Sequence, residues 1–97
     1  MLIIAVTFVL LEEHRASFLE AVLENARISL EEEPGCVRFD VCEGANGLEV
    51  FLYEQYETDR DFDEVHLKSK HFLDFNEQTA PWVAEKKVSR YLLVPFC

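Results

Sequence analysis

The segment Leu2 to Leu10 is almost wholly apolar and rich in Ile, Val and Phe, and directly after it the apolar residues change from a continuous run to helical spacing. The continuous run has the pattern of a β-strand covered on both faces, because a strand with one wet side alternates instead. From Glu12 to about Glu32, Phe18, Leu19, Val22, Leu23, Ala26 and Leu30 fall on one side of a helix, with Glu20, Glu24, Arg27 and Glu31 on the other. A strand that needs cover on two faces, followed by a helix with one apolar face, requires a layered fold in which the helix covers only one side.

The rest of the chain extends this pattern. Pro34-Gly35 ends the helix, Cys36 to Glu43 alternates as a strand, Gly44-Ala45-Asn46-Gly47 supplies a turn, and Leu48 to Tyr56 returns as the second arm of a hairpin. Asp61 to Gln78 carries Phe62, Val65, His66, Phe72 and Phe75 in a pattern that fits one helix or two short ones, with Pro81 as an interruption. Val88 to Val94 reads as a last strand stopped by Pro95. The order β-α-β-β-α-β is that of the ferredoxin-like split β-α-β fold, an α+β class in which an antiparallel sheet carries both helices on one face. The opposite face is bare. A second copy of the same sheet is its simplest cover, so the expected assembly is a homodimer forming a dimeric α+β barrel.

Length and charge narrow the function. Ninety-seven residues without a linker-like stretch predict one domain spanning 1–97. Nineteen Asp and Glu against nine Lys and Arg give a net charge of −10, the wrong sign for a nucleic-acid or anionic-membrane partner. The apolar opening is too short to span a bilayer and has neither a basic leader nor a small-residue cleavage site, which predicts a cytoplasmic protein. Cys36 and Cys42 on one strand would stand about 20 Å apart, beyond disulfide reach, and with Cys97 they read as three reduced cysteines.

Several residues could carry chemistry. At about 100° per residue, Phe18, Val22, Asn25 and Ser29 share the middle of the apolar side of the first helix, so an amide and a hydroxyl face the core. They must find partners or leave a desolvation cost of about 1–3 kcal/mol each uncompensated. Backbone bonds within the helix satisfy that demand as readily as a pocket wall does. His66 and His71, five apart, do not share a helix face as an i,i+4 metal pair would, and no third ligand stands at an obvious spacing, so no metal is expected. Imidazole remains the natural acid or base for a hydroxyl or carbonyl substrate, although a single histidine is more often a packed or surface residue. Glu54 shares a strand face with Val50 and Leu52, opposite Phe51 and Tyr53, and reads as a salt-bridged carboxylate or as a base or substrate anchor. Trp82 is a core plug or a pocket wall. The hairpin register, which decides whether Phe39 sides with Leu52 or with Tyr53, is open.

Four segments in series, Glu33-Pro34-Gly35-Cys36, Phe39-Asp40-Val41, Leu52-Tyr53-Glu54-Gln55-Tyr56 and His66-Leu67-Lys68-Ser69-Lys70-His71-Phe72, together resemble the antibiotic biosynthesis monooxygenase domain. The resemblance covers almost the whole chain. It implies a dimeric ferredoxin-like barrel with a small-molecule pocket between helices and sheet in each subunit. Some members resemble oxygenases that act on a quinol, phenol or polyketide-like substrate with molecular oxygen and no metal, flavin or haem. Another branch resembles the isomerase of the phosphorylated autoinducer-2 signal. Carried over by position, the resemblance assigns catalysis to His66 and His71, and substrate binding to Asn25, Ser29, Phe39, Tyr53 and Glu54; Phe72 and Trp82 join the expected substrate site as apolar side chains that exclude water, without a matching family position for Trp82. The isomerase branch has a histidine near position 25, where Asn25 stands here.

Three functions follow as expectations: an oxygenase using no cofactor, with a small molecule and molecular oxygen as its partners; an isomerase of a small hydroxycarbonyl compound; and a non-catalytic binding dimer.

Overall fold

A computed structural model describes residues 1–96; Cys97 lies outside the described residues. Strand β1 (Leu2–Leu10) leads through a 3₁₀ turn at Glu12–His14 into helix α1 (Arg15–Glu32), followed by the hairpin of β2 (Cys36–Glu43) and β3 (Glu49–Tyr56). A π-helical segment (Asp61–His66), helix α2 (Lys70–Thr79), a 3₁₀ turn (Ala80–Trp82) and β4 (Val83–Leu92) complete the chain. The four strands form one antiparallel sheet in the order β2-β3-β1-β4, the ferredoxin-like order expected from the sequence.

β1 is central, and its two faces differ. Leu2, Ile4, Val6, Phe8 and Leu10 are buried against the helices, whereas Ala5, Thr7 and Val9 are only half-buried on the other face. The helical cover is aromatic: the Phe8 ring lies 4.9 Å from Phe18 of α1, and Phe18 lies 5.8 Å from Phe75 of α2. Each such side chain, fully buried, contributes on the order of 1.5–3 kcal/mol.

In α1 the buried stripe is Phe18, Val22, Asn25, Ala26 and Ser29, while Leu23 and Leu30, assigned above to the apolar side, are exposed. Arg15 fixes the start of α1 by donating from Nε to the Gly47 carbonyl at 2.6 Å and pairing with Glu43. Gly47 has φ +76°, a left-handed conformation that glycine adopts without steric cost. At the other end of α1, a Cβ at Gly35 would overlap the Asp61 side chain, so the close approach between the helix exit and the π-helical segment requires glycine there.

Two boundaries differ from the sequence expectation. The last strand begins at Val83, five residues before Val88, because it pairs with the full length of β1 from Leu2↔Leu92 to Leu10↔Val83. It ends at Leu92, opposite Leu2 at the start of β1, before Pro95 is reached. Glu85, Lys86 and Lys87 concealed the strand because an edge strand can be largely charged and exposed. The second helical region is two segments, separated at Leu67–Ser69, with Ser69 Oγ accepting the Phe72 N–H at 3.3 Å as the cap of α2.

The hairpin register is decided by a bulge. Cys36 pairs with Tyr56 but Arg38 pairs with Gln55, so one extra residue on β2 shifts the frame. Phe39 consequently sits opposite Glu54 and Val41 opposite Leu52, all on the helix-facing side, and Asp40 sits opposite Tyr53 on the bare side.

Candidate active site

The C-terminal turn of α1, the end of the π-helical segment and the start of α2 meet over β3. Each contributes a polar side chain: Ser29 and Glu33 from α1 and its exit, His66 from the π-helical segment, and Ser69 and His71 from the start of α2. Phe62 and His66 both turn inward from their segment, with rings stacked 5.7 Å apart, and the wide turn is closed by the Leu67 N–H donating to the Phe62 carbonyl at 2.9 Å.

Glu33 is the hub. Its Oε2 lies 2.9 Å from His66 Nδ1 and 2.5 Å from His71 Nε2, and all of these side chains are buried or nearly so. Burial by itself raises the Glu33 carboxyl, but the hydrogen bonds and charge of His66 and His71 outweigh it and hold Glu33 below the usual carboxylate range. An ionised carboxylate only accepts, so the protonated nitrogens are His66 Nδ1 and His71 Nε2. In a neutral His66 ring, Nε2 then carries the free lone pair.

That free nitrogen faces Glu54, 4.0 Å away at Oε1, and both residues line a partly open, largely apolar cavity of about 180 Å³ between sheet and helices. Val6, Phe8, Leu52 and Phe72 form much of its wall. Glu54 is held mainly by burial above the usual carboxylate range, despite accepting the Tyr56 hydroxyl at 2.5 Å and lying near His66. Lys86 stands on the exposed edge strand, but its ammonium reaches over the cavity wall, 5.5 Å from the Phe8 ring, where partial desolvation lowers it below the ordinary range. The cavity thus combines a lone-pair imidazole with a carboxyl biased toward its neutral form. Asn25 borders both the cavity and an open groove along the helices, and its buried Oδ1 has no hydrogen-bond partner among the described residues.

The residues singled out from the sequence separate into three groups. His66 and His71 are brought together, their rings 6.1 Å apart, with Ser29 Oγ 3.1 Å from His71 Nε2. Asn25, Glu54, Phe72 and Phe39 surround them, Phe72 5.0 Å and Phe39 6.1 Å from the His66 ring. Tyr53 and Trp82 are elsewhere. Tyr53 lies on the other face of the sheet, its hydroxyl accepting from Gln55 Nε2 at 3.1 Å and its ring under the Arg38 guanidinium. Trp82 stacks on His14 at 5.7 Å and lines the groove along the helices, not the apolar cavity.

Glu33 and Tyr56 were given no role in the sequence reading. For Glu33 a signal was present: a carboxylate at a helix exit opposes the helix dipole and so calls for a compensating partner. Sequence spacing does not reveal the carboxylate that stands beside the two histidines: Glu33, 33 residues before His66, places an oxygen next to a ring nitrogen of each. Among the described residues Cys36 and Cys42 are free, and burial together with nearby Glu33 and Glu54 pushes the Cys36 thiol up to about 12, which leaves it inert as a nucleophile. No helix among the described residues is long and apolar enough to cross a membrane.

An antiparallel ferredoxin-like sheet with a histidine-bearing cavity under its helices defines a class of small α+β domains. The sequence profile of the antibiotic biosynthesis monooxygenase family matches residues 1–78, and the chain belongs to that family. It is similar to a structure from Nitrosomonas europaea provisionally described as an antibiotic biosynthesis monooxygenase, at 30% identity over 98% of this chain and 100% of that one, with a TM-score of 0.91. Rv0793 from Mycobacterium tuberculosis shares the fold at 22% identity over 98% of this chain and 96% of that one, with a TM-score of 0.89. So does a Deinococcus radiodurans protein with the same provisional description, at 18% identity over 100% of this chain and 96% of that one, also with a TM-score of 0.89. No curated protein sequence matches the chain. These likenesses support a general monooxygenase-like function.

Proposed function

We propose that this protein oxygenates a small, single-ring quinol or phenol with molecular oxygen, using its own side chains and no cofactor, with His66 as the base. One observation carries the reading: Glu33 holds His66 Nδ1 at 2.9 Å, so the lone pair on Nε2 is presented at the wall of the apolar cavity. A cavity of roughly 150 Å³ accommodates benzene, so about 180 Å³ suits one substituted ring. A base inside an apolar cavity takes the substrate hydroxyl proton and leaves an electron-rich anion shielded from water. With hydroquinone, one oxygen atom enters the ring to give a hydroxyquinone and the other leaves as water, the substrate supplying all the electrons. Asn25 Oδ1 and Glu54, whose burial favours its neutral form, are the groups available to orient the ring oxygens.

The isomerase alternative needs a cationic anchor for phosphate. Lys68 and Lys70, the lysines beside the histidines, are occupied by Glu64 at 2.8 Å and Asp74 at 2.5 Å on the exposed surface. The test of the oxygenase reading is oxygen uptake by chelator-treated protein across a panel of single-ring quinols. His66→Ala is expected to lower turnover by about 10²–10⁴-fold, the usual contribution of a general base. Uptake unchanged by this substitution would remove His66 from the mechanism, and no uptake across the panel would favour the isomerase or binding readings.

The sheet face bearing Thr7, Phe51, Tyr53 and Tyr91 has no helix over it among the described residues, and the same reading assigns it to a homodimer packed sheet on sheet. The mass in solution, measured by light scattering, decides between one copy and two.

A further inference from the structure

Glu33 Oε2, His66 Nδ1 and His71 Nε2 all lie within 4.8 Å of one another, and they come from three different elements. Two imidazoles and one carboxylate are a donor set suited to divalent first-row transition ions, not to Mg²⁺ or Ca²⁺, which prefer oxygen alone. We propose that Glu33, His66 and His71 form a site for such an ion, of the Zn²⁺, Fe²⁺ or Co²⁺ class, in which the metal replaces the two protons now shared with Glu33.

The geometry is close to what coordination needs. Metal bonds of about 2.1 Å hold neighbouring ligand atoms about 3.0–3.4 Å apart. The two nitrogen-to-oxygen separations here are 2.9 and 2.5 Å, each of which has to widen by less than about 1 Å, while the two nitrogens, within 4.8 Å of each other, have to draw together onto the ion. Because both ring nitrogens already point at the same oxygen, deprotonation turns two lone pairs toward one region without rotating either ring.

A second observation points independently to a ligand. Glu33 is only 4% exposed, and its buried Oε1 has no hydrogen-bond partner among the described residues. An ionised oxygen left in that state is costly, and coordination through both carboxylate oxygens would satisfy it. Ser29 Oγ at 3.1 Å and Ser69 Oγ at 3.3 Å from His71 Nε2 place two hydroxyls at the same point, suited to hold a water as a further ligand. A divalent charge would also compensate a carboxylate placed at the negative end of α1. Metal on His66 Nδ1 would put the remaining ring proton on Nε2, the atom that acts as base in the oxygenase reading, so the loaded protein would have that base blocked.

The site is tested without any substrate, which keeps its fate separate from that of the oxygenase. The chelator-treated, tag-free chain is titrated with Co²⁺ and followed by calorimetry and visible absorption, with Zn²⁺ as competitor and Mg²⁺ as control. The expected result is one Co²⁺ per chain with a ligand-field spectrum, displaced by Zn²⁺, unaffected by Mg²⁺, and accompanied by a rise in the thermal midpoint. His71→Gln, at the better exposed of the two histidines, is expected to remain folded by circular dichroism and to weaken binding at least about tenfold, as is Glu33→Gln. Absence of saturable binding to the folded wild-type chain overturns the proposal. So does binding of equal strength in the folded His71→Gln variant, which would place the ion elsewhere.

Discussion

Tyr56 donates its hydroxyl to Glu54 Oε1 at 2.5 Å, two residues back along the same strand, and both side chains are buried beneath the helices. Burial still leaves Glu54 above the usual carboxylate range and raises the Tyr56 hydroxyl strongly, so the pair is most stable with both groups neutral. The consequence for pH has a definite sign. The unfolded chain ionises Glu54 near 4.5 while the folded chain retains the proton to higher pH, so its contribution to stability is full below about 4.5 and is lost as pH rises through the folded value. Glu54→Gln, which cannot ionise, is expected to show a higher thermal midpoint than wild type above neutral pH, with the gap closing toward acid. A gap that widens toward acid would mean that Glu54 is ionised in the fold.

Glu33 behaves in the opposite sense. Its folded carboxyl lies below the ordinary range, so its contribution is present above about 4.5 and is lost as pH falls through the folded value. Glu33→Ala removes the acceptor for His66 and His71 and is expected to cost about 1.5–3 kcal/mol near neutral pH, with the deficit shrinking in acid. Urea unfolding across the pH range checks both the size and the slope.

Gly35→Ala brings a Cβ onto the Asp61 side chain at the start of the segment that carries His66. The expected cost is about 1–3 kcal/mol. Asp61→Ala removes the obstructing carboxyl, although it also gives up the hydrogen bonds from Thr58 N and Oγ1 at 3.0 and 2.8 Å. A double-mutant cycle read by denaturant unfolding should therefore show Gly35→Ala to be milder in the Asp61→Ala background. Equal costs in both backgrounds would locate the strain elsewhere.

Tyr53 stands on the uncovered sheet face, away from the cavity. Tyr53→Glu is expected to weaken self-association in sedimentation while Tyr53→Phe leaves turnover within about twofold, since neither change touches the cavity wall. A large loss of turnover in Tyr53→Phe would bring this face into the active site, through a second copy.

The residues at local spacing were readable from the chain. The continuous run of β1, the stripe Phe18, Val22, Asn25 and Ser29, and the hairpin around Gly44 to Gly47 depend on periods of a few residues and on turn chemistry, and they appear in the fold where those periods placed them. β4 was read five residues short because Glu85 to Lys87 lie on an exposed edge, where partner length and not side-chain pattern sets the boundary.

The site required contacts that no local period encodes. Phe39 faces Glu54 only because one extra residue at the Cys36–Arg38 bulge shifts the register, and a one-residue shift exchanges the faces of a strand. Glu33 joins His66 and His71 only because the exit of α1, pinned at Gly35 against Asp61, closes onto the start of α2. The sequence by itself determined the order of elements, the two polar residues on the buried helix stripe and the family motifs. The tertiary structure decided which nitrogen of His66 is free and what it faces, because that depends on an acceptor 33 residues away and on a cavity bounded by the sheet.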